Sequence, residues 1–305
     1  MTFSLGIKSD PVEYRYSYEW LFSLMRELRV EYLQLGSSFE FYLADDSFFV
    51  DLRALAERYG VWITSCFTAH RELGGFFTDD PRLVAVARRA YERWIAVAGL
   101  LGADFVGSNP GAVYRDRLDA KPRGSAVYLE HLTELMHAGF AAGVKGLTIE
   151  PMSSSAEPPS LPDEIATYGE VALAYWREHP RDTVPAYFCG DISHGVVGAD
   201  RTVLHDHWEL FELEIPRMAE FHFKNTDALY HSTFGFGDAD LQRGIVHLGE
   251  LRDILDRRAD DFPVDRLVGY LEIGGPKLGR DYSDPLLRDQ LVESVEAIRA
   301  VFPET

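Results

Sequence analysis

Short apolar runs alternate with longer amphipathic stretches along the whole chain. The strand-like runs occupy residues 3–7, 32–35, 61–67, 105–107, 147–150, 186–191, 220–224 and 267–272. Each is brief, rich in apolar and aromatic side chains, and bounded by Gly, Pro, Asn or Asp, the usual punctuation of strands. Between them, residues 18–28, 48–59, 81–101, 125–143, 162–179 and 286–301 carry apolar positions at helical spacing. In the fourth of these, Tyr128, Leu132, Leu135, Met136 and Phe140 form one stripe, with Glu130, Thr133 and Glu134 off it. Gly60, Gly102 and Gly143 stand where helices would close in a left-handed residue.

Eight strands alternating with helices predict an α/β fold, a single (β/α)8 TIM barrel over residues 1–305 as one domain. An open doubly wound sheet also alternates, but it carries a glycine-rich phosphate loop after its first strand. Here the first strand runs into Lys8-Ser9-Asp10-Pro11. No linker divides the chain, and the Pro/Ser-rich segment 152–164 reads as a loop over one barrel face.

Composition narrows the function classes. The 305 residues are 46% hydrophobic and 13% aromatic, enough for a large core. Lys and Arg number 30 against 49 Asp and Glu, a formal net charge of −19. That balance opposes nucleic acid and anionic membrane surfaces as partners, since both require a basic footprint. Cys66 and Cys189, the only cysteines, cannot make a disulfide framework and read as small buried core residues. No basic-then-apolar leader pattern opens the chain, and no apolar stretch approaches the roughly 20 residues of a membrane span. A soluble, cytoplasmic protein is the expectation.

Parallel barrels place their chemistry at the C-terminal ends of strands. Four polar residues end otherwise apolar runs there: Glu150, Asp191, His222 and Glu272, on the fifth to eighth strands. Any one of them alone would serve as a helix cap or a solvated loop residue. Three carboxylates and one imidazole on consecutive strands instead suit a hard or borderline divalent ion such as Mn²⁺, Mg²⁺ or Co²⁺. Period-two alternation puts Thr148 on the face of Glu150, Cys189 on that of Asp191 and Lys224 on that of His222. His194, three residues after Asp191, either hydrogen-bonds a ligand or caps the following turn. His70, after the third strand, either contacts substrate or supports the residues that do. Asn109, in Ser108-Asn109-Pro110-Gly111, offers amide donors or forms a plain turn. The glycine-rich segment 274–281 carries Lys277 and Arg280, which either bind a phosphate or are ordinary solvated cations.

The ordered set Glu150, Asp191-Ile192-Ser193-His194, His222 and Glu272 resembles the metal site of the xylose isomerase-like barrel superfamily. Within it the set is most similar to the tagatose/psicose type of ketose 3-epimerase. The stretches FTAHRELGGFF, SNPGAV, IEPMS, DISHG and YLEIGGPKLGRDYSD resemble the bacterial erythrulose 1-phosphate 3-epimerases of erythritol breakdown. The resemblance implies one divalent metal per chain, Mn²⁺ foremost, held by Glu150, Asp191, His222 and Glu272. It implies Glu150 and Glu272 as an acid/base pair inverting C3 of a small ketose phosphate, with His194 contacting substrate. His70, Asn109, Lys224, Lys277 and Arg280 complete the expected substrate site, and family members often form dimers or tetramers. One departure is that free-sugar epimerases place an arginine shortly after the strand-seven histidine. Here Lys224-Asn225-Thr226-Asp227 follows, which fits a differently charged substrate. An aldose–ketose isomerase on the same site, and a non-catalytic metal-dependent sugar-phosphate binding protein, are the alternative expectations.

Overall fold

The computed structural model of the protein describes residues 1–12, 15–36, 39–68, 75–274 and 286–303. In chain order the elements begin with β1 (Thr2–Lys8), α1 (Tyr18–Leu28), β2 (Tyr32–Leu35), α2 (Phe39–Leu43), α3 (Asp46–Arg58) and β3 (Trp62–Thr68). They continue with α4 (Pro81–Leu101), β4 (Phe105–Ser108), α5 (Lys121–Ala142), β5 (Gly146–Ile149), α6 (Pro162–Glu178) and β6 (Ala186–Asp191). A short hairpin, β7 (Val196–Val197) and β8 (Val203–His205), precedes α7 (His207–Glu214) and β9 (Met218–Phe223). The chain then runs through α8 (Asp238–Arg243), α9 (Leu248–Arg257), β10 (Arg266–Leu271) and α10 (Leu287–Val301).

Eight strands lie side by side in the order β1-β10-β9-β6-β5-β4-β3-β2 and close into a barrel. The described pairings among them are parallel, and they form the α/β barrel that the alternation predicts. The expected strand runs are all present, with ends shifted by up to two residues. The β7–β8 hairpin and helices α2, α7, α8 and α9 are additions that the sequence pattern did not single out.

Contacts group the chain into two units, Met1–Leu35 with Ala54–Trp62 and Gly190–Thr305, and Gly36–Arg53 with Ile63–Cys189. The boundary falls inside β6. In the first unit, parallel strands alternate between two kinds of surface. Phe221 and Phe223 of β9 join Phe3 of β1 and Phe302 in one aromatic cluster, with Phe3–Phe221, Phe3–Phe302 and Phe223–Phe302 centroids 5.9, 5.0 and 6.0 Å apart. Full burial of each such ring contributes about 1.5–3 kcal/mol. The intervening residues of β9, Glu220 and His222, face the other way and are buried too. Register then aligns the polar layer: Lys8 pairs with Gln34, and His222 with Tyr270. Gly6 is required beside Tyr270, because a Cβ there would lie 2.5 Å from the Tyr270 ring.

In the second unit, helix ends follow the sequence. Asp80 caps α4 by accepting from Arg82 N, with Pro81 in the first turn, and Gly102 closes the helix at φ 72°. Gly143 closes α5 at φ 78°, and in the first unit Gly60 follows α3 at φ 73°. The α5 stripe differs at its end from the expected one: Tyr128, Leu132, Leu135 and Met136 are buried, but Phe140 is half exposed. The packing face turns onto Gly139, where a Cβ would stand 2.7 Å from Val184 Cγ2, so the strand side approaches the helix backbone itself. Cys66 and Cys189 are buried and are in no disulfide, as expected. No helix among the described residues is long and apolar enough to cross a membrane.

Gly107 of β4 pairs with Thr148 of β5, and Trp94 Nε1 donates to the Gly107 carbonyl at 3.1 Å. A Cβ at Gly107 would overlap Thr148 Oγ1 and the Thr148 carbonyl. Gly107→Ala is therefore expected to destabilise the protein by about 1–3 kcal/mol, read as a lower midpoint in urea unfolding.

Candidate metal centre

The barrel brings the four strand-end residues together. One ligand atom from each of Glu150, Asp191, His222 and Glu272 lies within 4.8 Å of every other. Glu150 directly follows β5, and its N–H donates to the Ser108 carbonyl at 3.2 Å. Glu272 directly follows β10, and its N–H donates to the Phe223 carbonyl at 2.9 Å. Both carboxylates thus leave the barrel from backbone still held in the strand ladder. Asp191 ends β6 and is buried. Its Oδ1 accepts from Ser193 N at 2.8 Å and from Ser193 Oγ at 2.7 Å. That turn commits Oδ1 and aims Oδ2 into the cluster.

His222 is fully buried, with Nδ1 3.0 Å from Glu272 Oε2 and 3.9 Å from Asp191 Oδ2. Its Nε2 donates to Gln34 Oε1 at 2.8 Å. A proton held on Nε2 leaves the Nδ1 lone pair directed at the carboxylates, which is how outer partners orient a ligating histidine.

Two buried ammonium groups balance the acids. Lys224 Nζ lies 2.5 Å from Asp191 Oδ2, 3.9 Å from Glu272 Oε1 and 3.0 Å from His194 Nε2. Lys8 Nζ lies 3.2 Å from Glu272 Oε2 and 3.1 Å from Asp10 Oδ2. Burial alone would raise the pKa of Asp191, but His194, Lys224 and His222 outweigh it and hold the carboxyl below its ordinary value. Burial likewise opposes ionisation of Glu272, yet Lys224, Lys8 and His222 hold it well below the usual carboxylate range. Both acids are thereby kept ionised, the form in which a carboxylate binds a cation or accepts a proton.

The residues fit a divalent ion. Among the described residues Asp191 Oδ2 is buried and accepts no well-directed hydrogen bond; its neighbours are ion-pair contacts. Three carboxylates and an imidazole converge on the cluster beside the ammonium groups of Lys8 and Lys224, and buried acids at this density are characteristically paired or bound to a metal. Oxygen donors with one imidazole suit Mn²⁺, Mg²⁺ or Co²⁺.

Of the other expected site residues, His194 and Lys224 meet at the centre. His194 Nε2 is 3.3 Å from Asp191 Oδ2. Asn109, just after β4, is buried, and its Oδ1 has no hydrogen bond among the described residues. His70, Lys277 and Arg280 lie outside the described residues. Lys8 and Gln34 are the residues that strand-end reasoning passed over. Each occupies the last inward position of its strand, a position that the pairing of β1 with β2 reveals.

No protein-family model matches the sequence, and no curated protein matches it either. Solved structures do. A protein from Rhodospirillum rubrum assigned as a xylose isomerase superposes with a TM-score of 0.79 at 21% identity, covering 98% of this chain and 99% of that one. D-psicose 3-epimerase from Clostridium cellulolyticum H10 gives 0.71 at 16% identity, covering 98% and 99%. L-ribulose 3-epimerase gives 0.64 at 16%, covering 100% and 94%. The chain therefore has the xylose isomerase-like barrel fold over its length.

Because Gln34 fixes the His222 ring through the nitrogen turned away from the carboxylates, Gln34→Leu is expected to weaken Mn²⁺ binding by roughly 10–100-fold. Calorimetric titration measures this, with circular dichroism unchanged. His222→Ala should remove measurable binding.

Proposed function

We propose that the protein is a divalent-metal-dependent sugar epimerase that inverts C3 of a small ketose phosphate, erythrulose 1-phosphate foremost. The observation that carries this reading is the pair Glu150 and Glu272, two strand-anchored carboxylates converging on one cluster with Asp191 and His222. The solved structures sharing the fold include D-psicose 3-epimerase and L-ribulose 3-epimerase, which supports the same class. The xylose isomerase assignment of another neighbour favours a second reading, movement of the carbonyl instead of inversion.

The hydrogen on carbon next to a ketone is weakly acidic, and its removal needs a placed base and stabilisation of the charge that forms. A divalent ion, Mn²⁺ foremost, held by Glu150, Asp191, His222 and Glu272 supplies Lewis-acid stabilisation of that charge. In the proposed cycle one of the two glutamates takes the C3 proton, and the C–H electron pair passes into an enediolate. The other glutamate, in its acid form, returns a proton to the opposite face, and the ketone re-forms. Lys224 and His194 hydrogen-bond the substrate oxygens and hold their orientation, and Asn109 and His70 contact the rest of the chain of carbons. The phosphate reading rests on the resemblance of the 270–284 stretch, with Lys277 and Arg280 as its anchors. It is also supported by Lys224 standing where free-sugar epimerases differ.

Erythrulose 1-phosphate incubated with the Mg²⁺-loaded protein in D₂O and followed by NMR tests the reaction. Deuterium at C3 with the ketone in place is expected; deuterium with a migrated carbonyl assigns the isomerase reading. No exchange with Mg²⁺, Mn²⁺ or Co²⁺ removes this substrate, and saturable binding without exchange would leave a sugar-phosphate binding protein. Glu272→Gln should lower C3 exchange by about 10²–10⁴-fold. Changing Lys277 and Arg280 together to Ala should raise KM about tenfold or more if they hold a phosphate, and unchanged KM would remove that assignment.

A further inference from the structure

The turn that carries Asp191 and His194 ends at Gly195, and an aromatic ring from a different loop lies across that glycine. A Cβ at Gly195 would overlap Tyr230 Cζ and Cε2 and lie 2.7 Å from Cε1. The ring therefore rests on the Gly195 Cα, one residue from His194. No L side chain fits between them.

Tyr230 is held in this position by a loop that is tied at several levels. At its base Asn225 and Phe234 exchange backbone hydrogen bonds of 3.0 and 2.8 Å. The Asn225 side-chain oxygen accepts from Thr226 N at 2.9 Å and Val246 N at 3.0 Å. Thr226 Oγ1 then donates across the loop to the Ser232 carbonyl at 2.7 Å. At the tip the Asp227 carboxylate accepts from Leu229 N at 2.9 Å, His231 N at 3.2 Å and Ser232 Oγ at 2.5 Å. Tyr230 N donates to the Asp227 carbonyl at 2.9 Å. The cost of this tie-down is visible at Tyr230 itself, which sits at φ 57°, the left-handed region that bulky residues avoid. Glycine would occupy that conformation without strain, so the backbone gives no reason for a tyrosine there. Its side chain is the reason.

We infer that Tyr230 is a positioning residue, a brace that fixes the Asp191–Gly195 turn and thereby the directions of Asp191 Oδ2 and His194 Nε2. The brace spans to α7, where His207 is buried and its Nδ1 lies 3.5 Å from the Tyr230 hydroxyl, a contact at the limit of a hydrogen bond. Ring packing, not the hydroxyl, carries the effect. This rests on the metal-centre reading above.

The test is Mn²⁺ affinity, by electron paramagnetic resonance of free Mn²⁺, on the full chain and three variants, with urea unfolding alongside. Tyr230→Gly suits the local backbone, so its unfolding midpoint should stay near that of the parent while Mn²⁺ binds roughly tenfold more weakly, as for other residues that orient ligands. Tyr230→Phe keeps the ring and should restore parental affinity. Gly195→Ala should displace the ring and reproduce the loss. If Tyr230→Gly binds Mn²⁺ as tightly as the parent, the brace is overturned; so it is if affinity and unfolding midpoint fall together and Tyr230→Phe does not rescue either. A parent that does not bind Mn²⁺ overturns the metal-centre reading, and the inference with it.

Discussion

Three carboxylates and an imidazole gathered within 4.8 Å and largely shielded from water set the terms for everything around them. Two like charges 4 Å apart repel by about 4 kcal/mol at an effective dielectric of about 20. With three acids in mutual reach, the repulsion alone rivals the net stability of a domain, about 5–15 kcal/mol. The barrel meets that demand with rigid backbone and with buried positive charge. Lys8 and Lys224 stand beside Glu272 and Asp191, and both are at least nine-tenths buried. Neither lysine could be lost without stranding an acid, and breaking such a pair costs roughly 3–5 kcal/mol.

The strand register makes this arrangement possible. Lys8 faces Gln34, Tyr270 faces His222, and Glu272 leaves β10 tied to the Phe223 carbonyl. Opposite faces of the same strands carry Phe3, Phe221 and Phe223 in their aromatic cluster. A one-residue slip of β9 would exchange His222 for a phenylalanine and bury the histidine against rings. Core packing and site geometry are therefore one constraint, enforced by the same alternation.

Much of this was legible in the sequence, because alternation and strand-end polarity are local properties. Glu150, Asp191, His222 and Glu272 each end an apolar run, and the glycines at 102 and 143 mark helix ends by their own conformational freedom. What escaped was non-local. Lys8 looks like the first residue of a loop, since Ser9, Asp10 and Pro11 follow it; only pairing with Gln34 of β2 shows that it is still strand. Gln34 is one polar residue inside YLQL, and nothing nearby says that a histidine 188 residues later will donate to it. Phe140 continues the helical stripe of α5 by spacing, yet close approach at Gly139 moves the contact face and leaves the ring half exposed. Helices α7 and α8 are short, with 8 and 6 residues, and tertiary contact supplies what their local pattern lacks, whereas α9 carries a regular stripe of Leu248, Leu251, Ile254 and Leu255 that its polar surroundings obscure.

The division of labour between strands and loops bears on how such a site can change its substrate without losing its chemistry. Glu150 and Glu272 are each attached to the strand ladder by their own N–H group, so neither depends on a loop for its backbone position. Asp191 and His194 sit instead on a turn, fixed by Ser193 from within and by the Tyr230 ring from outside. Residues on that turn and on the 225–234 loop can be exchanged while the carboxylate pair stays in place. In the proposed reaction, a proton removed and returned on opposite faces demands fixed carboxylates, whereas recognition of the remaining oxygens and of a charged group demands adjustable neighbours. The barrel places the first requirement on its least deformable elements and the second on loops that are tied down one hydrogen bond at a time.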